Sequence, residues 1–395
     1  MIGRYDATRE DIAALLDGQP PFRVRQVWDG LHRRGVEPED LTDLPLDLRA
    51  RLAEALPRSL RPVVESTADD GATLKWLWEL HDGARIETVL MHYEDRSTVC
   101  ISTQAGCAMA CGFCATGQAG FERHLTTGEI VEQVVLARRA AAPRRVSNVV
   151  FMGMGEPLAN YEGTWSAVER LHGDLGISAR HLTISTVGVV PGIRRLATEE
   201  LPVNLAISLH LADDSRRDEL VPINRRYPLG VLAEACHEYL AEKNRRLSFE
   251  WALIDGVNDS DVDVEQLAAY VRPLRAHVNL IPLNPTPGYA VRGSSPQQVR
   301  WFRDALRARG VNATVRQNRG TDIDAACGQL RAGNEATRVD RPRRRASPDE
   351  DRHLVAGADR VDEALTGRDA DPRPEHRALD DTVDHRSLAH HRHPS

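Results

Sequence analysis

Three cysteines in one short segment carry the clearest chemical signal in the sequence. Cys107, Cys111 and Cys114 lie in QAGCAMACGFCATG, with three and then two residues between successive cysteines. Thiolates bind soft metals, so this segment can hold a zinc ion or an iron–sulfur cluster. A structural zinc site normally has four protein ligands, and a four-iron cluster usually has four cysteines. A cluster held by only three cysteines leaves one iron open for a small molecule.

The spacing alone leaves both metals open. His124 or a distant cysteine could provide a fourth ligand and complete a zinc site. A disulfide scaffold is a poor interpretation, because the 395 residues contain only six cysteines and three of them share one short loop. A metal site or redox chemistry is therefore expected at this segment.

The three other cysteines have different surroundings. Cys236 belongs to a helical stripe with Leu232 and Tyr239, so we expect it in the core. Cys327 lies in NRGTDIDAACGQL, whose polar residues indicate an exposed loop. Cys100 alternates with apolar neighbours in a predicted strand, which places its side chain on the same side as Ser102.

Short β-branched runs alternate with amphipathic helices between about residues 86 and 317. The six runs are residues 98–103, 147–152, 181–186, 202–209, 247–254 and 277–283. One intervening helix begins with the capping-box spacing of Thr126 and Glu129. Strand and helix repeated about six times predict an α/β fold with a parallel sheet covered by helices. Periodicity leaves open whether that sheet closes into a barrel.

Small and polar residues recur where the predicted strands end. The second strand runs into FMGMGEP, where Gly155 lets the backbone approach a ligand and Glu156 offers a carboxylate to an ammonium group. Ligands in parallel α/β sheets and barrels bind at the carboxyl ends of the strands. Each residue alone is typical of a local cap, but together they predict a ligand site. The further members, after the third, fourth and sixth strands, are Ser185, Ser208, His210 and Asn284.

The two ends of the chain differ from this central pattern. Residues 1–85 are predicted to be helical, because Val24, Val27 and Leu31 recur at helical spacing. A basic patch on that helix fits a solvated face or an RNA-facing surface equally well, and its members are Arg23, Arg25, His32, Arg33 and Arg34. Residues 336–395 are highly charged and poor in large apolar side chains, which predicts a disordered tail after a central unit of residues 86–335.

The composition is that of a globular protein rather than a membrane protein. Hydrophobic residues make up 41% and charged residues 28% of the chain, and no apolar run approaches the roughly 20 residues that cross a bilayer. The first residues, MIGRYDATREDIAALL, lack the basic start and apolar stretch of a secretory signal, so we expect a cytoplasmic protein. The formal net charge of −7 argues only modestly against an RNA partner, because phosphate contacts depend on local basic clusters.

The cysteine spacing after the first strand of a repeated βα array resembles the radical S-adenosylmethionine superfamily. That resemblance implies that the open iron binds the amino and carboxylate groups of S-adenosylmethionine. It also implies that electron transfer cleaves the cofactor to a carbon radical.

The resemblance narrows to the RlmN-like dual-specificity methyltransferases, which methylate adenine C2 in 23S ribosomal RNA and in certain transfer RNAs. FRVRQVWDGLHRRGV resembles the N-terminal RNA-binding domain of that family, which usually has asparagine at the position of His124. The other matching stretches cover residues 86–330 in the family's order, and they are ETVLMHYEDRSTVCISTQAGCAMACGFCATGQAGFERHL, VVFMGMGEPLAN, TISTVGVVPGI, LAISLHLADD, IPLNP and RGTDIDAACGQL.

The family resemblance implies a fold, cofactors and partners. The fold is a partially open, parallel six-stranded (βα)6 barrel with a small helical N-terminal domain. A 4Fe–4S cluster is held by Cys107, Cys111 and Cys114, and two molecules of S-adenosylmethionine are used in each turnover. The partners are 23S rRNA, tRNA and an electron donor such as flavodoxin or ferredoxin, and the enzyme is expected to be a monomer. The implied cofactor contacts are Gly155, Glu156, Ser185, Ser208, Leu209, His210 and Asn284.

The family mechanism also gives roles to the remaining reactive residues. Adenine C2 lies between two ring nitrogens and is electron-poor, so it cannot attack the methyl group of S-adenosylmethionine, whereas a radical can add to it. By the resemblance, Cys327 takes a methyl group and becomes joined to the RNA through it. Cys100 then releases the product by forming a disulfide with Cys327. Glu87 occupies the position of the general base that removes the C2 proton.

Two alternatives are kept at this stage. The sister activity at adenine C8 uses the same cysteines and differs in how the base is presented. A zinc-bearing RNA-binding module without catalysis is the alternative from another class of protein.

Overall fold

The computed structural model describes residues 2–243, 245–284, 291–317, 319–320, 323–325 and 329–330. Cys327 and residues 336–395, the predicted tail, lie outside these ranges. Within them, no helix combines the length and hydropathy that a bilayer span requires.

Three short helices form the N-terminal part of the chain. They are α1 (Arg9–Leu15), α2 (Phe22–Asp29) and α3 (Leu46–Ala55). Thr8 begins α1 with a capping box, because its side chain accepts a hydrogen bond from the backbone of Asp11 and the Asp11 carboxylate accepts one in return. Val27 and Leu31, which the sequence pattern placed on a helical face, are fully buried.

The helical region is shorter than predicted. Helix was expected through residue 85, but the chain forms two antiparallel strands, β1 (Arg61–Ala68) and β2 (Thr73–Glu79). The prediction was wrong because TLKWLWE has a two-residue alternation, which places Trp76 and Trp78 on one face of β2. Their rings stack on that face with centroids 5.8 Å apart, and such side-chain packing stabilises a strand rather than a helix.

One member of the predicted basic patch is not on the surface. His32 is fully buried, its ring is stacked on Trp28 with centroids 4.1 Å apart, and its Nδ1 lies 3.1 Å from the Trp28 carbonyl oxygen. Burial lowers the pKa of His32 to about 4, so the ring is neutral. Arg25 and Arg33 remain exposed, and Arg34 is paired with Asp43 at 3.3 Å.

The other strands and helices follow in chain order. The strands are β3 (Arg85–His92), β4 (Ser97–Cys100), β5 (Gln104–Gly106), β6 (Phe121–His124), β7 (Val146–Phe151), β8 (Leu182–Thr186), β9 (Asn204–Ser208), β10 (Leu247–Leu253), β11 (His277–Pro282) and β12 (Asn312–Val315). The helices are α4 (Ala115–Ala119), α5 (Thr127–Ala141), α6 (Tyr161–Gly173), α7 (Val190–Thr198), α8 (Asp214–Leu220), α9 (Leu229–Lys243), α10 (Asp261–Val271) and α11 (Pro296–Ala308).

The main sheet is mixed, in the order β1-β2-β3-β4-β7-β8-β9-β10-β11-β12, and β5 and β6 form a separate pair. All six predicted strands are confirmed as β4 and β7–β11, and they run parallel. Two features correct the prediction of a six-stranded parallel sheet. A short seventh parallel strand, β12, pairs with β11, and β1–β3 extend the other edge in antiparallel fashion.

The N-terminal helices and the sheet share one hydrophobic core. Trp28 Nε1 donates a hydrogen bond to Asp174 at 2.8 Å, just after α6. The Asp6 carboxylate accepts hydrogen bonds from the Gly128 backbone at 2.6 Å and from the Thr126 hydroxyl at 2.9 Å, at the start of α5. A negative charge there complements the positive end of the helix dipole. These contacts fix the N-terminal part against the helices that cover the sheet.

Glu132 is buried where α5 meets the N-terminal part. Its Oε2 accepts a hydrogen bond from the Ser59 backbone at 2.9 Å, and Oε1 has no hydrogen-bond partner among the described residues. Burial raises the pKa of Glu132 to about 7 from its ordinary value of 4.5. The folded protein therefore holds this proton more tightly than the unfolded chain between these two pH values.

Glu132→Gln is expected to stabilise the protein at pH 8 but much less at pH 5. In the wild type, the free energy of unfolding falls as pH rises from 4.5 to about 7, and the loss is roughly 2 to 3 kcal/mol for a shift of this size. Thermal unfolding at both pH values measures the difference, with the exposed Glu169→Gln as the control. An equal effect of Glu132→Gln at pH 5 and pH 8 would contradict this prediction.

Candidate active site

A cavity of about 150 Å³ lies at the carboxyl ends of the parallel strands. Its walls bring together the cysteine segment, the glycine turn after β7 and the polar residues after β8, β9 and β11. The candidate residues on the lining are Cys107, Cys111, Cys114, Gly155, Glu156, Ser185, Ser208, His210 and Asn284. The structure therefore assembles nearly all of the predicted cofactor and metal residues around one space.

Backbone contacts fix the cysteine segment between β5 and α4. The Cys107 N–H donates to the Gly120 carbonyl at 2.7 Å, and the Cys114 N–H donates to the Cys111 carbonyl at 3.1 Å. Gly106 has a φ of +74°, and a Cβ there would lie 2.0 Å from the Gly120 oxygen, so only glycine fits. The segment is held as a tight loop whose first two cysteines are buried.

The thiols need a positive counter-charge. Burial raises the pKa of Cys107 to about 12 and raises the pKa of Cys111 well above its usual range, and the neighbouring thiols add to both shifts. Three thiolates can share this space only if cations neutralise them, and bound iron or zinc ions do so. The donor set therefore fits a metal group.

The arrangement of the side chains bears on which metal group fits. Within the part of the chain that the structure describes, no three Cys, His, Asp or Glu side chains are placed to hold a metal ion. His124, the possible fourth zinc ligand, has its Nδ1 3.0 Å from Gln104 Nε2, so this contact occupies one of its two ring nitrogens. The soft donors that line the cavity are the three cysteines.

Gly155 and Glu156 form the turn after β7. Gly155 has a φ of +102°, and a Cβ there would lie 2.6 Å from Gln104 Cβ, so the turn is closed against β5. The buried Glu156 carboxylate accepts hydrogen bonds from the Leu158 backbone at 3.0 Å and from the Val187 backbone at 2.9 Å. Burial raises the pKa of Glu156 to about 7. Glu156 joins the ends of β7 and β8 as well as lining the cavity.

The residues after β8 and β9 form the next part of the wall. The hydroxyls of Ser185 and Ser208 lie 3.5 Å apart. Leu209 is fully buried, and its N–H donates to the Glu250 carbonyl at 3.1 Å. His210 Nδ1 accepts a hydrogen bond from the Ala252 backbone at 2.9 Å, and burial lowers the pKa of His210 to about 3. The His210 ring also meets Phe113 edge to face at 4.6 Å, which links this wall to the cysteine segment.

Arg217 is a site residue that the sequence did not indicate. It is fully buried in α8 and donates to the carbonyls of Val187 at 2.7 Å and Leu209 at 3.0 Å, and to the Asn224 side chain at 2.8 Å. It binds the backbone after β8 and β9, and its positive charge opposes the rise in the pKa of Cys111 that burial causes. In RRDEL it looks like one more exposed helical arginine, so only the fold reveals its role.

Glu250 and Arg316 were also missed, and both line the cavity. Glu250 accepts hydrogen bonds from Asn279 at 2.8 Å and Ser248 at 3.2 Å. Burial raises the pKa of Glu250, and the positive charge of Arg316 opposes that shift. A charged residue in the middle of LSFEWALI, a strand that is otherwise largely apolar, is the sequence signal that could have identified Glu250.

The two predicted catalytic residues within the described ranges share one face of the sheet. Cys100 in β4 lies opposite Val89 in β3, and Glu87 is two residues from Val89 along the same strand. Opposite residues and residues two apart project to the same side, so Glu87 and Cys100 lie on one face. Both are buried. Neither belongs to the lining of the cavity.

Cys327 lies outside the described residues, but the chain on either side of it is placed. The Asp324 carbonyl accepts a hydrogen bond from Lys75 Nζ at 3.3 Å, on the sheet face that carries Glu87 and Cys100. Leu330 lines the cavity. Its carbonyl accepts a hydrogen bond at 2.5 Å from the hydroxyl of Thr116, a residue of α4. The described residues on the two sides of Cys327 in the sequence thus contact the two groups of candidate residues separately.

A mostly parallel α/β sheet with three cysteines at its carboxyl edge is the design of radical S-adenosylmethionine proteins. The family model described as "Radical SAM superfamily" matches residues 101–268. The crystal structure of a radical SAM methyltransferase from Sphaerobacter thermophilus superposes on this chain with a TM-score of 0.81 and 51% sequence identity. The superposition covers 84% of this chain and 100% of the Sphaerobacter chain.

Comparison with similar sequences identifies the family within this superfamily. The probable dual-specificity RNA methyltransferase RlmN of Salinispora tropica is 53% identical over 80% of this chain and 88% of its own length. The dual-specificity RNA methyltransferase RlmN 1 of Myxococcus xanthus is 50% identical over 87% of this chain and 97% of its own length. The chain belongs to the RlmN family of dual-specificity RNA methyltransferases.

Anaerobically purified protein is expected to contain about four irons and four sulfides per chain. Substituting Cys107, Cys111 or Cys114 by Ala should reduce both to near zero, because each thiolate holds a separate iron. The matched control is Cys236→Ala, whose thiol is buried in α9 and does not line the cavity. Elemental analysis and sulfide determination measure the outcome. Zinc in place of iron in the wild-type protein would exclude the cluster.

Proposed function

We propose that the protein methylates carbon C2 of adenine in 23S rRNA and in tRNA, in the cytoplasm. The observation that supports this proposal is the placement of Asp324 and Leu330, the described residues that flank Cys327 in the sequence. One side of that cysteine is fastened near Glu87 and Cys100, and the other side is fastened beside the cysteine cavity. A methyl carrier needs access to both places. It receives and activates its methyl group beside the cofactor, and it gives up the product beside the residues that release it.

The cofactors proposed for the cavity are a 4Fe–4S cluster and S-adenosylmethionine. Cys107, Cys111 and Cys114 would hold the cluster, which would supply the electron that cleaves S-adenosylmethionine to a carbon radical. The contacts proposed for S-adenosylmethionine are Gly155, Glu156, Ser185, Ser208, Leu209, His210 and Asn284, and all of them except the buried Leu209 line the cavity. Residues from β7 through β11 can line one space only if the sheet curves, which supports a partially open barrel.

Cys327 is the proposed methyl carrier. Its thiolate displaces the methyl group of one S-adenosylmethionine molecule, which leaves as S-adenosylhomocysteine. Loss of one hydrogen atom from the methyl group to the radical derived from a second molecule gives a methylene radical on the Cys327 sulfur. That radical adds to adenine C2, where ordinary methyl transfer fails because the carbon is electron-poor. The RNA is then covalently bound to the protein.

Glu87 and Cys100 complete the reaction from the shared face of the sheet. The Glu87 carboxylate accepts the C2 proton, and the unpaired electron of the adduct would return to the proposed 4Fe–4S cluster, so that the adenine ring regains its closed-shell aromatic state. The Cys100 thiolate attacks the Cys327 sulfur, the bond between that sulfur and the methylene carbon breaks, and its electron pair stays with the carbon. Protonation of that carbon gives the methyl product, and the two cysteines form a disulfide that an external thiol reduces before the next turnover.

The N-terminal helices are proposed to bind the RNA. Arg25 and Arg33 are exposed there, whereas His32 lies in the core beneath them. Exposed arginines bind phosphate groups without sequence preference. The enzyme is proposed to act as a monomer with an electron donor such as flavodoxin or ferredoxin.

Identification of the reaction product tests the proposed function. The purified protein is incubated anaerobically with S-adenosylmethionine, a reductant and either 23S rRNA or tRNA, and the digested RNA is analysed by mass spectrometry against synthetic standards. We expect 2-methyladenosine in both RNAs. Exclusive formation of 8-methyladenosine would identify the sister activity instead, and no methylated adenosine would overturn the proposal.

Cys100→Ala is expected to accumulate a covalent protein–RNA adduct, because the thiolate that releases the product is missing. Cys327→Ala should form no adduct and no product, because the methyl carrier is missing. Denaturing gel electrophoresis with labelled RNA detects the adduct, and Cys236→Ala serves as the control with normal turnover. If Cys100→Ala turned over without trapping RNA, Cys100 would not be the resolving residue.

A further inference from the structure

Lys75 lies in the middle of β2, on the sheet face that carries Glu87 and Cys100. It is paired across the strands with Val89, which in turn pairs with Cys100. The side chain of Lys75 is only 13% exposed and that of Glu87 only 5%. Lys75 Nζ lies 3.4 Å from Glu87 Oε1 and donates to the Asp324 carbonyl at 3.3 Å. One ammonium group thus contacts both the proposed base and the chain three residues before Cys327.

A second fastening holds the same segment independently of Lys75. The Asp69 carboxylate accepts a hydrogen bond from the Gly320 backbone at 3.0 Å and another from the Thr73 hydroxyl at 2.5 Å. Gly320 itself has a φ of +61°, which glycine adopts without strain. Loss of Lys75 would therefore leave the Gly320 contact in place while removing one hydrogen bond of the Asp324 carbonyl and one ion-pair contact of Glu87.

We propose that Lys75 is a positioning residue that couples the general base to the cysteine segment. This inference rests on the proposed function. In the base step, the C2–H bond of the adduct breaks, the proton goes to the Glu87 carboxylate, and the bonding electron pair stays in the adenine ring. Lys75 holds the carboxylate on the face where the adduct is resolved, and it fastens Asp324 to the same point.

The charge of Lys75 is what this role requires. A buried carboxylate that loses a neighbouring cation is destabilised in its charged form, so it turns toward water or takes up a proton more readily. In both cases it loses its ability to accept the C2 proton. The ammonium has three donors, which allows it to serve a carboxylate and a carbonyl together. Arginine preserves the charge and several donors, whereas methionine preserves the length alone.

Lys75→Met and Lys75→Arg test the proposal in the cluster-loaded enzyme. Lys75→Met should lower kcat for 2-methyladenosine by about 10- to 100-fold, the cost of a displaced general base, with KM for RNA nearly unchanged. It should also accumulate the covalent adduct, and Glu87→Gln should do the same, because the steps before proton removal still proceed. Lys75→Arg should restore most of kcat and remove the adduct. A variant that had merely lost its fold would form neither adduct nor product.

Hydrogen exchange gives a readout that is independent of turnover. In Lys75→Met, the peptide that contains residues 323–325 should exchange faster than in the wild type, and Lys75→Arg should restore its protection. Asp69→Ala is the matched control: it frees Gly320 but keeps the Lys75–Glu87 pair, so it should speed exchange at residues 319–320 without trapping adduct.

The controls separate failure of this inference from failure of the proposed function. If the wild type makes no 2-methyladenosine and Cys100→Ala traps no RNA, the proposed function fails. If both behave as expected but Lys75→Met turns over normally without adduct, the coupling role of Lys75 is overturned. It is also overturned if Asp69→Ala traps as much adduct as Lys75→Met, because loosening of the segment alone would then explain the effect.

Discussion

Burial of acidic groups around one cavity is the constraint on which this structure depends. The thiols of Cys107 and Cys111 and the carboxyl groups of Glu156 and Glu250 all lie in places where burial raises their pKa. Such groups ionise only beside positive charge, and the fold supplies part of it by burying Arg217 behind the ends of β8 and β9. A cluster of iron ions supplies the rest when it binds. The cavity is thus prepared for a cationic group by the same contacts that hold its walls together.

The antiparallel extension of the sheet explains how chemistry can take place in two neighbouring locations. The parallel strands end at the cofactor cavity, whereas β2, β3 and β4 carry Lys75, Glu87 and Cys100 on one face. The contacts of Asp324 and Leu330 connect these locations on either side of Cys327. In the proposed mechanism, the position of Cys100 outside the cavity lining matters, because a thiol that lined the cavity would compete for the metal. The proposed methyl carrier, Cys327, lies in the sequence between the residues that contact these two locations.

The parts of the fold that were predicted correctly are those that depend on residues close together in the sequence. The six parallel strands are short runs whose residues are buried or half-buried, and the spacing of the cysteines and the glycine at position 155 can be read from neighbouring residues. The parts that were missed depend on distant partners. β2 is stabilised by pairing with β3 and β1 by pairing with β2, and Arg217 and Lys75 look like solvated charges until the fold surrounds them. His32 was assigned to a surface patch because its stacking on Trp28 has no signal in a run of basic residues.

The shared core between the N-terminal helices and the sheet has a consequence for an RNA substrate. A base that must reach a buried thiol and carboxylate has to be presented at a fixed distance from them, because small displacements slow such reactions strongly. Trp28 and Asp6 attach the helices to α6 and to the start of α5, and α5 also covers the sheet near β4, where Gln133 bonds the backbone of Ser102. The proposed RNA-binding surface on the N-terminal arginines is therefore placed relative to Cys100 through a short series of contacts. Independent motion of the two parts would break the buried contacts of Trp28, which is why a docked N-terminal unit suits this chemistry better than a flexibly linked one.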